Sequence, residues 1–389
     1  MVLRRRLSTG LPLSNELLLR FKKNGPGCFM PGPRELEKNY YVVFGGLAIM
    51  VAFATLDPWL CVAVFRRVCY YRISYWAQFS TESSPCAFHF RKDGFSVILA
   101  PMQKALIETN NIRLHVLTDG PQNGTSVILL HGFPEFHYGW RKQIPALVEA
   151  GFRVIVPDQR GYNLSDKPKG ISPYDIDILT KDIVGLLDHF GIEKTFLAGH
   201  DWGAVVAWTI ALNYPERLKK LAILNVPHPD VMTRFILEHA EQRKKSWYVF
   251  FFQIPLFVEW ALSRNNFRNM SRMLVGSGRK STFSTDNLLE YKKAWSQPGA
   301  LTGMVNWYRA IFRHSFKYAF HRKSIPARKV KVPTLMLWGK QDVALSHEMV
   351  EPSIALCDQG EAVLFEKATH WVQHDEADEV NKRLIEFFS

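Results

Sequence analysis

The stretch LAGHDWGAVVAW, Leu197–Trp208, constrains this chain more than any other. Its spacing predicts a strand that runs into a sharp turn and leaves at once as a helix. Small residues, Gly199 and Gly203, stand two before and two after Asp201. Such an elbow needs them, because a Cβ at either place would collide with the turn. The turn holds its central residue out at the end of the strand. A serine there would form acyl-enzymes from esters or amides. The residue is instead a carboxylate, which attacks a saturated carbon bearing a leaving group and forms an alkyl ester. Epoxides and haloalkanes are electrophiles of that kind. The plainer alternative is an Asp that merely caps the following helix.

Three further segments decide between these. In VILLHGFPEFHYGW, Val127–Trp140, a strand is followed by an HGFP turn. That turn can aim the Phe133 backbone N–H at the elbow, where with the N–H of Trp202 it would hold an oxyanion. His131 in the same turn is expected to be structural. In MLWGKQDVAL, Met336–Leu345, Asp342 lies just past a strand, where an acid could orient a histidine. In EKATHWVQHD, Glu366–Asp375, His370 lies between the last strand and the last helix. The order Asp201, Asp342, His370 is nucleophile, acid, base, with His200 and His374 left as structural. Neither a metal nor a cofactor is called for.

Strands are expected at Ile112–Leu117, Ser126–Leu130, Arg153–Pro157, Thr195–Ala198, Leu221–Asn225, Thr334–Trp338 and Ala362–Phe365. Helical patterns over Asp175–Phe190, Trp202–Leu212, His347–Leu356 and Ala377–Phe387 alternate with them. The fold class is therefore α/β: a mostly parallel sheet with helices on both faces. The alternation breaks over residues 230–331, which are expected to form a helical lid over the strand ends. The core then comprises residues 73–229 and 332–389, preceded by a basic segment, residues 1–72.

Charge is unevenly spread along the chain, whose net value is +13. Residues 1–72 hold 11 Lys/Arg against 4 Asp/Glu, residues 230–331 hold 19 against 6, and residues 332–389 hold 4 against 11. No zinc-finger spacing, RNA-recognition signature or basic heptad accompanies the basic parts, so nucleic acid is not the expected partner. A membrane is, because Tyr40–Phe65 is apolar except for Asp57 and is flanked by Lys38, Arg66 and Arg67. An uncleaved anchor over about residues 40–65 is the expectation, with aromatic and basic residues at its ends. The endoplasmic reticulum, with the catalytic part on the cytosolic side, is the expected location. Five cysteines, an odd number without a CxxC pair, argue against a disulfide framework or a zinc site.

Gly199–Ala204, His131–Glu135, Asp342 and His370 together resemble the α/β-hydrolase-fold epoxide hydrolases, most closely the membrane-anchored animal group of epoxide hydrolases 3 and 4. The likeness runs from about Lys104 to the C-terminus. It implies an eight-stranded sheet with the lid inserted after strand 6. It also implies that two lid tyrosines, Tyr248 in SWYVFFFQIP and Tyr308 in GMVNWYR, give a proton to the epoxide oxygen. The implied substrates are lipophilic epoxides, with epoxy fatty acids one class. Asn163 stands where this family commonly has Gly. Haloalkane dehalogenases share the Asp nucleophile and Trp202, but usually carry Asn or Glu where Phe133 stands. The alternative of another class is a catalytically inactive, membrane-anchored binding protein on the same fold.

Overall fold

The computed structural model describes residues 102–318 and 327–389, together with short strands nearer the N-terminus. Residues Met1–Ser84 and Pro85–Ser389 form separate compact units. In the second unit, eight strands make one sheet: β1 (Gln103–Thr109), β2 (Ile112–Asp119), β3 (Ser126–Leu130), β4 (Arg153–Pro157), β5 (Thr195–His200), β6 (Leu218–Leu224), β7 (Thr334–Gly339) and β8 (Gly360–Phe365). Their order across the sheet is β8-β7-β6-β5-β3-β4-β2-β1. All neighbours are parallel except the pairs β1–β2 and β2–β4.

The central strands β3, β5 and β7 are buried along their whole lengths and are mostly apolar on both faces, with polar residues near their ends. That is the pattern of a parallel sheet covered on both faces. Two apolar clusters, one containing Ile128, Leu130 and Leu197 and the other Val127, Leu129 and Ala198, take alternate residues of the same strands. They are the two faces of the sheet. The helices around the sheet include α1 (Gln143–Glu149), α2 (Ile176–His189) and α3 (Trp202–Asn213). In α3, nine of twelve residues are buried, so its apolar character runs round the whole helix.

Strand β1 and helix α1 are additions to the sequence expectation. Strand β1 is an edge strand with five of seven positions exposed, so its apolar periodicity is faint. It pairs with β2 through an Asn110-Asn111 turn with both φ values positive, as a tight hairpin requires. The expected strands Ser126–Leu130 and Arg153–Pro157 are found with the same ends, and the others shift by one to three residues at one or both ends. The expected helix over His347–Leu356 is a 3-10 turn followed by a single α-helical stretch, Val350–Ile354.

Between β6 and β7 come α4 (Pro229–Glu238), α5 (Ala240–Lys245), α6 (Trp247–Phe251), α7 (Phe257–Gly276), α8 (Thr285–Trp295) and α9 (Ala300–Tyr318). Helix α7 bends where Arg264–Phe267 leave helical geometry. Two contacts seat this segment on the strand ends. The Trp295 indole N–H donates to the Pro134 carbonyl at 2.6 Å. Helix α9 lies against the loop after β4, where the Trp307 indole N–H donates to the Arg160 carbonyl at 2.9 Å. Gly303 and Gly161 make the close approach possible.

In the first unit, Phe21–Lys23, Leu47–Val51 and Tyr40–Phe44 form a small antiparallel sheet. Where a helical anchor is expected, Tyr40–Phe44 and Leu47–Val51 are thus paired strands. Aromatic and β-branched residues around Gly45-Gly46 suit a hairpin as well as a helix. The remainder of the expected anchor lies outside the described residues. Among those described, no helix is long and apolar enough to cross a membrane.

A Cβ at Gly303 would lie 2.7 Å from the Gly161 carbonyl oxygen. Gly303→Ala should therefore lift α9 and destabilise the fold by roughly 1–3 kcal/mol. Urea unfolding measures this, and an unchanged midpoint would show that the seat yields freely.

Candidate active site

Asp201 stands between β5 and α3 with φ 50° and ψ −125°. This is a sparsely populated region for a residue with a Cβ, and holding it costs about 1–3 kcal/mol. Its neighbours make room. A Cβ on Gly203 would meet the Leu130 carbonyl oxygen at 2.1 Å, and one on Gly199 would meet the Gly203 carbonyl oxygen at 2.5 Å. Gly132 clears the carboxylate itself, because a Cβ there would lie 2.3 Å from Asp201 Oδ1. That clearance lets the Phe133 N–H donate to Asp201 Oδ1 at 2.6 Å. The Trp202 amide follows at the first position of α3, but no hydrogen bond from it to this carboxylate is formed.

The other oxygen of Asp201 faces the imidazole. His370 Nε2 lies 3.5 Å from Asp201 Oδ2, and His370 Nδ1 lies 2.7 Å from Asp342 Oδ2. Asp342 is otherwise fully engaged. Its Oδ1 accepts from the amides of Ala344 at 2.7 Å and Leu345 at 3.0 Å, and its Oδ2 also accepts from Asn225 Nδ2 at 2.8 Å. Burial alone would raise the pKa of Asp342. The His370 charge and these hydrogen bonds reverse that and lower it. For His370, burial disfavours the cation, but the charges of Asp342 and Asp201 and their hydrogen bonds prevail and push it up to about 10. With Asp201 charged, the resting base therefore holds its proton.

The lid brings Tyr248 on α6 and Tyr308 on α9 together, with ring centroids 5.9 Å apart. The Tyr308 ring also lies 5.3 Å from Phe133 and 4.9 Å from Trp202. Burial and the Asp201 charge raise the pKa of both phenols. Both therefore remain hydrogen-bond donors at neutral pH. Phe133, Trp202, His370, Tyr248 and Tyr308 thus gather near Asp201, with Asp342 behind His370.

Sequence reasoning missed a second layer of residues. Asn225 has φ 52°, and its Oδ1 accepts the Gly339 N–H while its amide nitrogen holds Asp342. The signal was an Asn just after strand β6, a place suited to positive φ. Glu135 is buried beneath the base. It meets His374 Nε2 at 2.8 Å, accepts from Gln373 Nε2 at 3.1 Å, and accepts from Tyr291 of the lid. Its pKa is lowered to about 2: burial opposes ionisation, but His374 and the other donors outweigh it. His200 is held at about 4 by burial and by the charge of His370, so it is neutral. Its Nε2 lies 2.8 Å from the His370 carbonyl, and that carbonyl can only accept. The proton is therefore on Nε2, and Nδ1 accepts from Gln373.

His131 is structural, as expected: it is fully buried and its Nε2 accepts the Gln159 N–H at 3.0 Å. Among the described residues, one His/Asp group is compact enough to suggest a metal: His115, His137 and Asp158. The Asp158 carboxylate already meets His115 Nδ1, His137 Nδ1, the His137 amide and Asn163 Nδ2 at 2.7–2.8 Å. Those four partners make it a hub that ties β2, the HGFP loop and the β4 loop. Asn163, at φ 41°, serves both as a turn residue and as a donor to this hub.

A carboxylate at an elbow above a mostly parallel sheet, with acid and base on the loops after β7 and β8, defines an α/β hydrolase. The alpha/beta hydrolase fold family matches residues 125–377. The AB hydrolase superfamily protein YfhM of Bacillus subtilis is 43% identical over 281 residues, covering 72% of this chain and 96% of that protein. Human epoxide hydrolase 4 is 39% identical over 289 residues, covering 72% and 77%. The crystal structure of Bacillus megaterium epoxide hydrolase in complex with an inhibitor superimposes with a TM-score of 0.67 at 31% identity, covering 73% and 99%. The chain belongs to the α/β-hydrolase family and, within it, to the epoxide hydrolases.

A raised histidine pKa contributes stability that is complete below the ordinary value of 6.5 and is lost as pH rises through about 10. In the resting protein the His370 imidazole should titrate near that upper value by nitrogen NMR. Asp342→Asn removes the larger of the two attracting charges and should lower the midpoint. An unchanged midpoint would mean that Asp342 does not control the base.

Proposed function

We propose that this chain hydrolyses lipophilic epoxides, epoxy fatty acids among them, to vicinal diols through a covalent ester on Asp201. The observation that carries this reading is the placement of Asp201: one oxygen is fixed by an amide, the other faces His370, and two protonated phenols lie in the lid. With Oδ1 held by Phe133, Oδ2 attacks a ring carbon. The epoxide C–O bond breaks as Tyr248 or Tyr308 gives its proton to the oxygen. That phenol is left anionic beside an imidazolium.

Formation of the ester removes the Asp201 charge. One of the two causes that hold the His370 proton disappears at that moment, so His370 can release a proton and restore the phenol. The neutral imidazole, oriented by Asp342, then takes a proton from water as the water attacks the ester carbonyl carbon. Oδ1 becomes the oxyanion, held by the Phe133 amide, with the Trp202 amide as second donor. Collapse breaks the ester bond, the leaving alkoxide takes its proton from His370, and the diol departs. Asp201 keeps one oxygen from water, and its proton returns to the imidazole.

The basic N-terminal segment and its apolar stretch support attachment to a membrane, with the endoplasmic reticulum and a cytosolic catalytic unit as the proposed setting. Retention of the full chain in microsomes after alkaline carbonate, with the catalytic unit open to added protease, is the expected result. Release into the supernatant would overturn the anchor.

A single turnover of an epoxy fatty acid in 18O-water should place the label in Asp201 and leave the first diol unlabelled. Label in that diol would end the covalent reading. His370→Gln should accumulate the ester, visible as a mass increase equal to the substrate. Tyr248→Phe and Tyr308→Phe should each slow ester formation roughly 10²-fold, and the double substitution about 10⁴-fold. Stopped-flow Trp fluorescence measures these rates, and a wild-type rate in the double variant would remove the tyrosines from the mechanism.

A further inference from the structure

We infer that the outer face of the lid is a docking surface for a bilayer carrying anionic phospholipid. The face runs along α6, the turn after it and the start of α7. Trp247, Phe250, Leu256, Phe257 and Trp260 are exposed there, Leu256 by 82% and Trp247 by 63%. Leu256 has φ 63°, a backbone region that branched side chains rarely occupy. A water-facing loop gains nothing from displaying a leucine in that way.

Trp247, Phe257 and Trp260 are joined into one run through half-buried Phe251. Trp247 packs on Phe251 with centroids 6.0 Å apart, Phe251 on Phe257 at 6.1 Å, and Phe257 on Trp260 at 5.6 Å. A connected run of mostly exposed aromatic side chains exceeds the scattered apolar residues of an ordinary surface. Tryptophan in particular favours the headgroup level of a bilayer.

Charge selects the partner. Residues 243–268 contain five basic residues and one acid, Glu259. Glu259 is turned to the lid interior, where it pairs with buried Arg309 at 2.6 Å. Lys245 is offset by Glu241 at 3.4 Å. Arg243, Lys244, Arg264 and Arg268 are exposed in the same stretch of chain, and the Arg264 guanidinium lies 4.5 Å over the Trp260 ring of the patch. Aromatic side chains rimmed by cations are the composition of a surface that lies in an anionic interface, buried about 5–10 Å deep. A second copy of this chain would present the same positive rim to itself, which opposes self-association.

The same short helix connects this face to the chemistry. In α6, Trp247 and Phe250 point outward, while Tyr248 packs on Tyr308 within the lid. A bilayer that holds the outer side of α6 therefore lies one helix away from the proton donors. A lipophilic substrate would pass from the bilayer to the site without crossing bulk water.

The test uses the full chain, because the N-terminal segment could hold it on vesicles by itself. Hydrogen–deuterium exchange is followed over residues 247–264 with phosphatidylcholine vesicles, with and without phosphatidylserine. Exchange should slow by at least about tenfold on the anionic vesicles alone. Leu256→Glu with Trp260→Glu should abolish that slowing while thermal unfolding is unchanged. Unslowed exchange in vesicle-bound protein would overturn the proposal, since the chain would then be held by its N-terminus only. Slowing that grows with protein concentration without vesicles would also overturn it, in favour of self-association. Neither result depends on the chemistry at Asp201.

Discussion

Two carboxylates share one imidazole, and the rest of the site is arranged to make that possible. Asp342 and Asp201 approach His370 from its two nitrogens, at 2.7 and 3.5 Å. Such a pair would repel if the cation between them were lost. Each carboxylate is therefore given donors of its own: Asn225 and two amides for Asp342, and the Phe133 amide for Asp201. The donors sit on loops at one end of the sheet, so the strand order decides which of them can meet. Strands β3, β5, β6 and β7 are consecutive neighbours in the sheet apart from the chain order, and each delivers one piece.

The elbow, the acid and the base were legible because they lie beside strongly patterned apolar strands. Asp201, Asp342 and His370 each follow such a run. Tyr248 and Tyr308 were not legible from spacing: in an aromatic lid any tyrosine looks like packing, and only the family resemblance picked them out. Strand β1 was hidden because an edge strand with most side chains in water carries no alternation to read. Asn225, Glu135 and Gln373 escaped for another reason. Their roles come from long-range contacts, such as the Gln373–Glu135 bond across 238 positions of the chain, and no local pattern marks these. The N-terminal stretch shows the reverse hazard. Its apolar run is clear, yet composition alone did not separate a helix from the paired strands at Tyr40–Phe44 and Leu47–Val51.

On the covalent route proposed above, the electrostatics also explain how one histidine would serve both steps. A base that is free in the resting protein would be available before there is an ester to cleave. Here the Asp201 charge helps to keep His370 protonated, and the same charge vanishes on alkylation. On that proposed route the nucleophile switches the base on by being consumed. The phenols are tuned in the opposite sense: burial and the Asp201 charge keep them protonated until the proton is needed.

The buried network under His370 completes this logic by staying fixed while the upper site changes charge. His200 is neutral and donates to the carbonyl of His370 itself, so it holds the backbone of the base without adding a cation beside it. Glu135 supplies a second buried negative charge, away from Asp342, and His374, Gln373 and Tyr291 satisfy it. Tyr291 comes from α8, so the lid is tied to the same carboxylate that steadies the base loop. Any motion of the lid that admitted substrate by pulling α8 away would leave Glu135 short of a donor in a dry interior, at a cost of about 1–3 kcal/mol.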